Sequence, residues 1–152
     1  MRVKAAALLI CALLGGLSTT GCNSILDLIR PYTDSDVPNP GDFDRLLKRD
    51  LTAYVTDEGD KDISVTYELL RDVPSRSGVA LPKFYIWVEK HAADGTVMER
   101  AAARIAAVEK THFDIIQYHN TDQIRKDPSK LDGVFPDEVK AKIRQKIGLD
   151  EN

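Results

Sequence analysis

Lys83-Phe84-Tyr85-Ile86-Trp87-Val88-Glu89-Lys90-His91 decides how this chain folds, because large apolar groups point both ways from it. At a strand's two-residue period, Phe84, Ile86 and Val88 lie on one face. Tyr85, Trp87, Glu89 and His91 lie on the other. A strand with one solvated side alternates apolar with polar residues, so this one predicts a sheet at least partly covered on both faces. Tyr85 and Trp87 each join an apolar ring to a polar tip, which suits a ligand pocket or a partner surface. The pair equally suits a second, minor core under an N-terminal arm or under C-terminal helices. With Tyr67, Glu89 and His91 it makes the candidate ligand or partner surface.

Upstream, Asp62 to Val73 is the clearest strand, with Ile63, Val65, Tyr67 and Leu69 alternating with Ser64, Thr66 and Glu68. Val73 to Pro82 is a long connection with proline near both ends. Arg76 between two serines could hold an anion there, but the prolines and Gly78 suffice as turn signals, so a hairpin loop is expected. Before the strand, Phe43, Leu46, Leu47, Leu51, Tyr54 and Val55 share a stripe that predicts a helix from Phe43 to Val55, capped by Asp42. Thr56 to Lys61 ends it in an acidic loop. That loop lacks the alternating oxygen ligands and terminal glutamate of a calcium loop, so a solvated loop is the expectation.

Downstream, Asp94-Gly95 is a hairpin cue. Val97 to Lys110 is ambiguous: its alanines, with Thr96 and Glu99 spaced as a capping box, favour a helix. The hairpin cue and the run Arg104 to Val108 favour an antiparallel return strand, whose alanines would let a helix approach closely. The strand is the expectation. His112 to His119 supplies another, with Phe113, Ile115, Ile116 and Tyr118. Asn120 and Gln123 are spaced to cap a short helix, and Asp127-Pro128 restarts one. Pro136-Asp137-Glu138 opens a last helix, with a narrow stripe of Val139, Ile143 and Ile147 that Gly148 stops. Val134 can staple to Val139. Its acids lead and Lys140, Lys142, Arg144 and Lys146 follow, as the helix dipole prefers, so the basic face is expected toward solvent.

The fold class is therefore α+β: an N-terminal helix packed on a small antiparallel meander of three to four strands, followed by short C-terminal helices. From Asp42 to Asn120 this order resembles a cystatin-like roll, in which a meander wraps a helix. The likeness is topological, without a motif, and it carries no function because such rolls host enzymes and binding modules alike.

The chain begins with basic Met1-Arg2-Val3-Lys4, then Ala5 to Leu17, uncharged and apolar but for Gly15 and Gly16. That is the length of a secretory signal's apolar region and short of the roughly 20 residues that span a bilayer. Leu17-Ser18-Thr19-Thr20-Gly21-Cys22 follows. This string resembles the lipobox of bacterial lipoproteins, in which small residues precede an obligatory cysteine. The resemblance covers about the first 23 residues and departs from the usual pattern at Thr19, where leucine is commonest. It implies cleavage between Gly21 and Cys22 and a diacylglyceryl group, with palmitate-type chains, on Cys22. An ordinary secretory signal would need an Ala-x-Ala-like site, and none lies between Gly15 and Asn23. An uncleaved anchor is stopped by Thr19, Thr20, Asn23 and Asp27. Asn23 after the cysteine leans, by the family's sorting rule, toward the outer membrane and a domain facing the periplasm. The expected divisions are a signal peptide at 1–21, a lipidated N-terminus and proline-rich tether at 22–41, and a single domain at 42–152. Within the second, Ser24 to Arg30 reads as a hydrophobic arm docked on its own domain, or as an amphipathic foot on the bilayer.

With Cys11 in the signal and Cys22 acylated, the mature chain has no thiol for a disulfide, a metal or nucleophilic catalysis. The formal charge of −3 becomes about −5 without Arg2 and Lys4, which leaves no basic footprint for nucleic acid. His112 and Asp114 share a strand face while His119 has the opposite parity and His91 lies elsewhere, so no metal or other cofactor is expected. Nucleophile elbows and phosphate loops are absent from the sequence. Glu89 and His91, at strand spacing, could pair as acid and base. The functional expectation is an envelope lipoprotein, held to the membrane through lipid on Cys22, whose domain binds an envelope partner or ligand without catalysis. One rival is an anchored inhibitor or immunity protein that plugs a toxin or hydrolase with Asp57–Asp62 or Pro74–Pro82. The other is a small enzyme with a pocket around Tyr67, Trp87, Glu89 and His91.

Overall fold

Alternating apolar residues build an antiparallel meander whose four strands lie side by side in chain order: β1 (Ser64–Leu69), β2 (Lys83–His91), β3 (Val97–Val108) and β4 (His112–Asn120). The computed structural model describes residues 36–75 and 80–149. Helix α1 (Pro40–Val55) precedes the sheet. Helix α2 (Thr121–Lys126), a 3₁₀ turn (Pro128–Leu131) and helix α3 (Asp137–Ile147) follow it. The class is mixed α+β. Val97 to Val108 is a strand despite its helix-favouring composition, because it pairs along its length with β2 on one side and β4 on the other.

Both faces of the sheet are covered. On one, Leu46, Leu47, Leu51 and Val55 of α1 pack against Val65, Phe84, Ile86, Val88, Ile105 and Phe113. On the other, Tyr85, Trp87 and Ala102 meet Ile124, Leu131, Phe135, Val139, Ile143 and Ile147. The alanines of β3 serve both sides, Ala103 and Ala107 under α1 and Ala102 under the C-terminal layer. Their short side chains let helices close on a sheet from two directions.

Several boundaries differ from expectation. Helix α1 starts at Pro40, with Asn39 as its cap residue and no side-chain capping bond. Asp42 sits in the first turn instead and pairs with Arg45 at 2.6 Å. Proline at the first helical position lacks only an amide that would have been unpaired. Strand β1 ends at Leu69 rather than Val73, and Leu70 continues its alternation into the second core. The end of the expected tether belongs to the fold. Val37 is buried in the first core, and the Lys110 amide donates to the Asp36 carbonyl at 2.8 Å. That bond braces the β3–β4 turn, where Glu109 and Lys110 hold left-handed backbone angles, a conformation costing non-glycine residues roughly 1–2 kcal/mol each.

Two β-bulges lay outside what periodicity predicts. One, between Lys90 and His91 in the β2–β3 register, makes Met98 the extra residue. The other makes Ile116 the extra residue on β4, since Arg104 faces Gln117 while Ile105 faces Ile115. The second resets the parity of everything after it. His119, expected on the face opposite His112 and Asp114, is brought to their face, because it stands across from Ala102 as they stand across from Val108 and Ala106.

The C-terminal layer is strapped to the sheet by charge as well as packing. Lys142 Nζ donates to the Leu70 carbonyl at 2.8 Å, Lys146 pairs with Glu68 at 2.7 Å, and Arg71 with Glu138 at 3.0 Å. The basic side of α3, expected toward solvent, is thus partly spent on the β1 edge. Gly148 ends α3 in the left-handed conformation at φ 68°, which costs glycine nothing.

Candidate functional site

The five residues of the expected ligand surface are not brought to one open face. Tyr67 stands across from Val88, on the α1 side, and its hydroxyl donates to Asp44 at 3.2 Å. Burial, helped by the Asp44 carboxylate, pushes that phenol up to about 12. Tyr85 and Trp87 are each only 5% exposed, committed to the second core, with the Tyr85 ring 5.9 Å from Phe135. Lys146 lies over the Trp87 ring at 5.7 Å from its centroid, within reach of a cation–π attraction. The aromatic pair is therefore mainly core. Gly21 and Cys22 lie outside the described residues.

Glu89 and His91 do share an edge with Trp87, but not as an acid–base pair. Glu89 accepts from Arg100 at 2.8 Å, and that bond first of all holds its carboxyl below the usual range. The His91 ring is fixed between two other groups. Nδ1 lies 3.3 Å from the Gly95 carbonyl, and Nε2 lies 2.9 Å from the Thr66 hydroxyl. A carbonyl only accepts, so the neutral ring carries its proton on Nδ1 and takes the Thr66 proton at Nε2. Glu89 stands 3.7 Å from Nε2, beyond a hydrogen bond.

What this edge offers is a shallow polar groove. Thr66, Tyr67, Glu68, Trp87, Glu89 and Lys146 line a recess of about 240 Å³. Lys146 also borders a neighbouring hollow of about 320 Å³ together with Met98, Glu99, Arg100, Asn120, Asp122, Arg125 and others. Acids and bases alternate along it, and the bases are already engaged: Lys146 with Glu68, Arg100 with Glu89, Arg125 with the Ile147 carbonyl at 3.2 Å. A ligand there would exchange one set of ionic partners for another, with small net gain per pair. Among the described residues, no group of three His, Cys, Asp or Glu side chains could hold a metal ion. His119, which now shares a face with His112 and Asp114, is shifted down by burial and by Lys130, so its neutral form is favoured.

Among the described residues the most buried charge lies on the α1 side, and sequence reasoning missed it. Lys90 follows the strand's alternation to the α1 face, where its side chain is 7% exposed and reaches Asp60 at 2.6 Å and Asp57 at 3.2 Å. The Asp57 amide donates to Asp60 at 2.8 Å, closing the turn. The acidic loop expected to be solvated is therefore clasped, with Asp60 16% exposed and Asp57 left 86% exposed. Beside it, Glu99 accepts from the Tyr118 hydroxyl at 2.7 Å and from Asn120 at 3.1 Å, and burial pushes the Tyr118 phenol up.

The clasp carries a pH signature. The hydrogen bond to Lys90 lowers Asp60, so its stabilisation is present above the ordinary 3.8 and is lost as pH falls through the lowered value. Lys90 is raised, first by Asp60, so its share is complete below 10.5 and is lost as pH rises through the raised value. Lys90→Met should therefore cost stability at neutral pH, with the deficit shrinking below about pH 4 and above about pH 10.5. Urea midpoints of both proteins across pH check this; a deficit constant with pH would rule out the ion pair as its source.

Protein-family models, curated proteins and solved structures, compared with this chain, give no match. Its own residues carry the functional argument.

Proposed function

We propose that the chain is a lipid-anchored, non-catalytic binding module of the bacterial cell envelope, held through diacylglycerol on Cys22 in the outer membrane and facing the periplasm. The observation that carries the anchoring is the sequence Leu17 to Cys22 behind an apolar run of signal length. Among the described residues, no helix is long and apolar enough to cross a membrane. Two or more acyl chains on one cysteine suffice for durable attachment. The binding reading rests on how the polar groups are used. Tyr85 and Trp87 fill a core, Glu89 and His91 are tied to Arg100 and Thr66, and the grooves are shallow and polar. Such surfaces recognise a partner by complementarity rather than enclose a substrate.

An inhibitor or immunity role is favoured by one observation. The exposed Asp57 carboxylate is held in place by Lys90 and by the turn, and a preorganised acidic tip loses little freedom on entering a basic cleft.

Cys22→Ala is the deciding experiment. Metabolic labelling with a palmitate analogue should vanish, and the protein should leave the membrane fraction for the soluble one. Unchanged labelling and fractionation would end the anchoring proposal.

A further inference from the structure

The bulge in β4 does something specific on the face away from α1. Without it, Ile116 would stand across from Arg104. With it, Gln117 does, and Ile116 is left 37% exposed. A β-bulge re-aims side chains and tends to be placed where that matters. The row it completes runs Tyr85, Arg104, Gln117 across β2, β3 and β4.

Arg104 is poorly satisfied in that row. Its Nε is buried with no hydrogen-bond partner. One bond is formed by its guanidinium, from Nη1 to the Val134 carbonyl at a long 3.4 Å. Asp114, two positions along on the same face, pairs loosely with His112 at 3.6 Å rather than with Arg104. An unmade hydrogen bond at a buried charged donor is costly, and a guanidinium presents its donors in a planar fork that fits two oxygens of one group. The edge of that fork left over by Val134 is Nε with Nη2. Gln117 stands beside it with an amide able to donate to the same group.

We propose that Arg104 and Gln117 form a binding site for an oxyanion, a carboxylate or a phosphate, taken side-on by the Nε–Nη2 edge of Arg104. The Val134 carbonyl orients the guanidinium through Nη1, and Tyr85, which stands across from Arg104 with its ring tilted 54° against Phe135, packs the flank. The site rests on the reading of the domain as a binding module but not on its lipid anchor.

The test is a titration of the full-length chain in detergent micelles, with sodium acetate and inorganic phosphate as separate probes. The readout is the Arg104 Nε–H resonance. A saturable downfield shift with acetate alone assigns a carboxylate, with phosphate alone a phosphate, and with both a general oxyanion site; each supports the proposal. Arg104→Lys keeps the charge and loses the fork. Gln117→Leu leaves the fork and removes the amide, so it should weaken binding about tenfold, the worth of one hydrogen bond to a charged group. Amide spectra of both variants report whether they are folded. No saturable shift, or an Nε–H that exchanges magnetisation with one resident water while ignoring both probes, would overturn the site and leave the anchoring proposal untouched. Probe-induced shifts of the Gln117 backbone amide, which both proteins carry, read binding in the variant; binding unchanged in folded Arg104→Lys would overturn it too.

Discussion

Phe84→Ala should destabilise the protein by about 3–5 kcal/mol, the cost of deleting a large buried ring and leaving a cavity. Phe84 is 1% exposed and sits where three elements meet. Its ring contacts Phe43 of α1 edge-on at 5.2 Å and Phe113 of β4 at 6.2 Å, and those two rings meet at 4.9 Å. The triangle ties the helix to both a central and an outer strand. Edge-to-face pairs add about 0.5–1.5 kcal/mol each beyond burial, so Phe84→Leu, which keeps much of the volume, should still lose part of this. Small domains have roughly 5–15 kcal/mol in total. With a urea slope of about 1–3 kcal/mol per M, Phe84→Ala should lower the unfolding midpoint by at least about 1 M. A loss under about 1 kcal/mol would mean the ring is not at the junction of α1 and the sheet.

The elements that sequence made legible are those whose signal is local. The alternation of Ile63, Val65, Tyr67 and Leu69 specified β1, and the doubly apolar pattern of Phe84 to Val88 specified a strand covered on both faces. The Asn120–Gln123 capping box and the Gly148 stop were likewise readable, because capping is decided within four residues. Residues 97–108 show where propensity yields to context. Alanine favours a helix by tenths of a kcal/mol per residue, whereas ladders to strands on both sides satisfy the backbone and fit alanine between two helical layers.

What stayed hidden was set by partners far along the chain. Lys90 meets Asp57 and Asp60 only after α1 and the sheet have packed, so no spacing rule announces the clasp. The β4 bulge moves one residue out of register and reverses the facing of Gln117, Tyr118 and His119. A period-2 reading has no means to place that step. For the candidate surface, the sequence placed Tyr85, Trp87, Glu89 and His91 on one face, but covering that face depended on where α3 would land. Tyr67, expected in the group, belongs to the other face, because it stands across from Val88 in the β1–β2 register.

That covering layer supplies the second large effect. Ile143→Ala should cost about 2–5 kcal/mol, because Ile143 is fully buried among Val139, Ile147, Tyr85 and Trp87. The informative part is how the loss is distributed. Trp87 is the only tryptophan and is 5% exposed beneath this layer, so its emission reports detachment of α3 from the sheet. Far-UV circular dichroism sums α1, of 16 residues on the opposite face, with α2 and α3, of 6 and 11, so it reports both faces together. Trp87 and Tyr85 alternate along β2 with Phe84, Ile86 and Val88 of the first core, so the two cores share one backbone ladder. Side chains held by a common strand cannot lose their packing on one face without loosening the other. A single cooperative transition is also what chains of this size commonly show. The expected result in Ile143→Ala is therefore a lowered midpoint that Trp87 emission and circular dichroism report together. A red shift of Trp87 that precedes the loss of helical signal would instead make the C-terminal layer a separable cover, opening over Tyr85 and Trp87 while the α1 core stays folded.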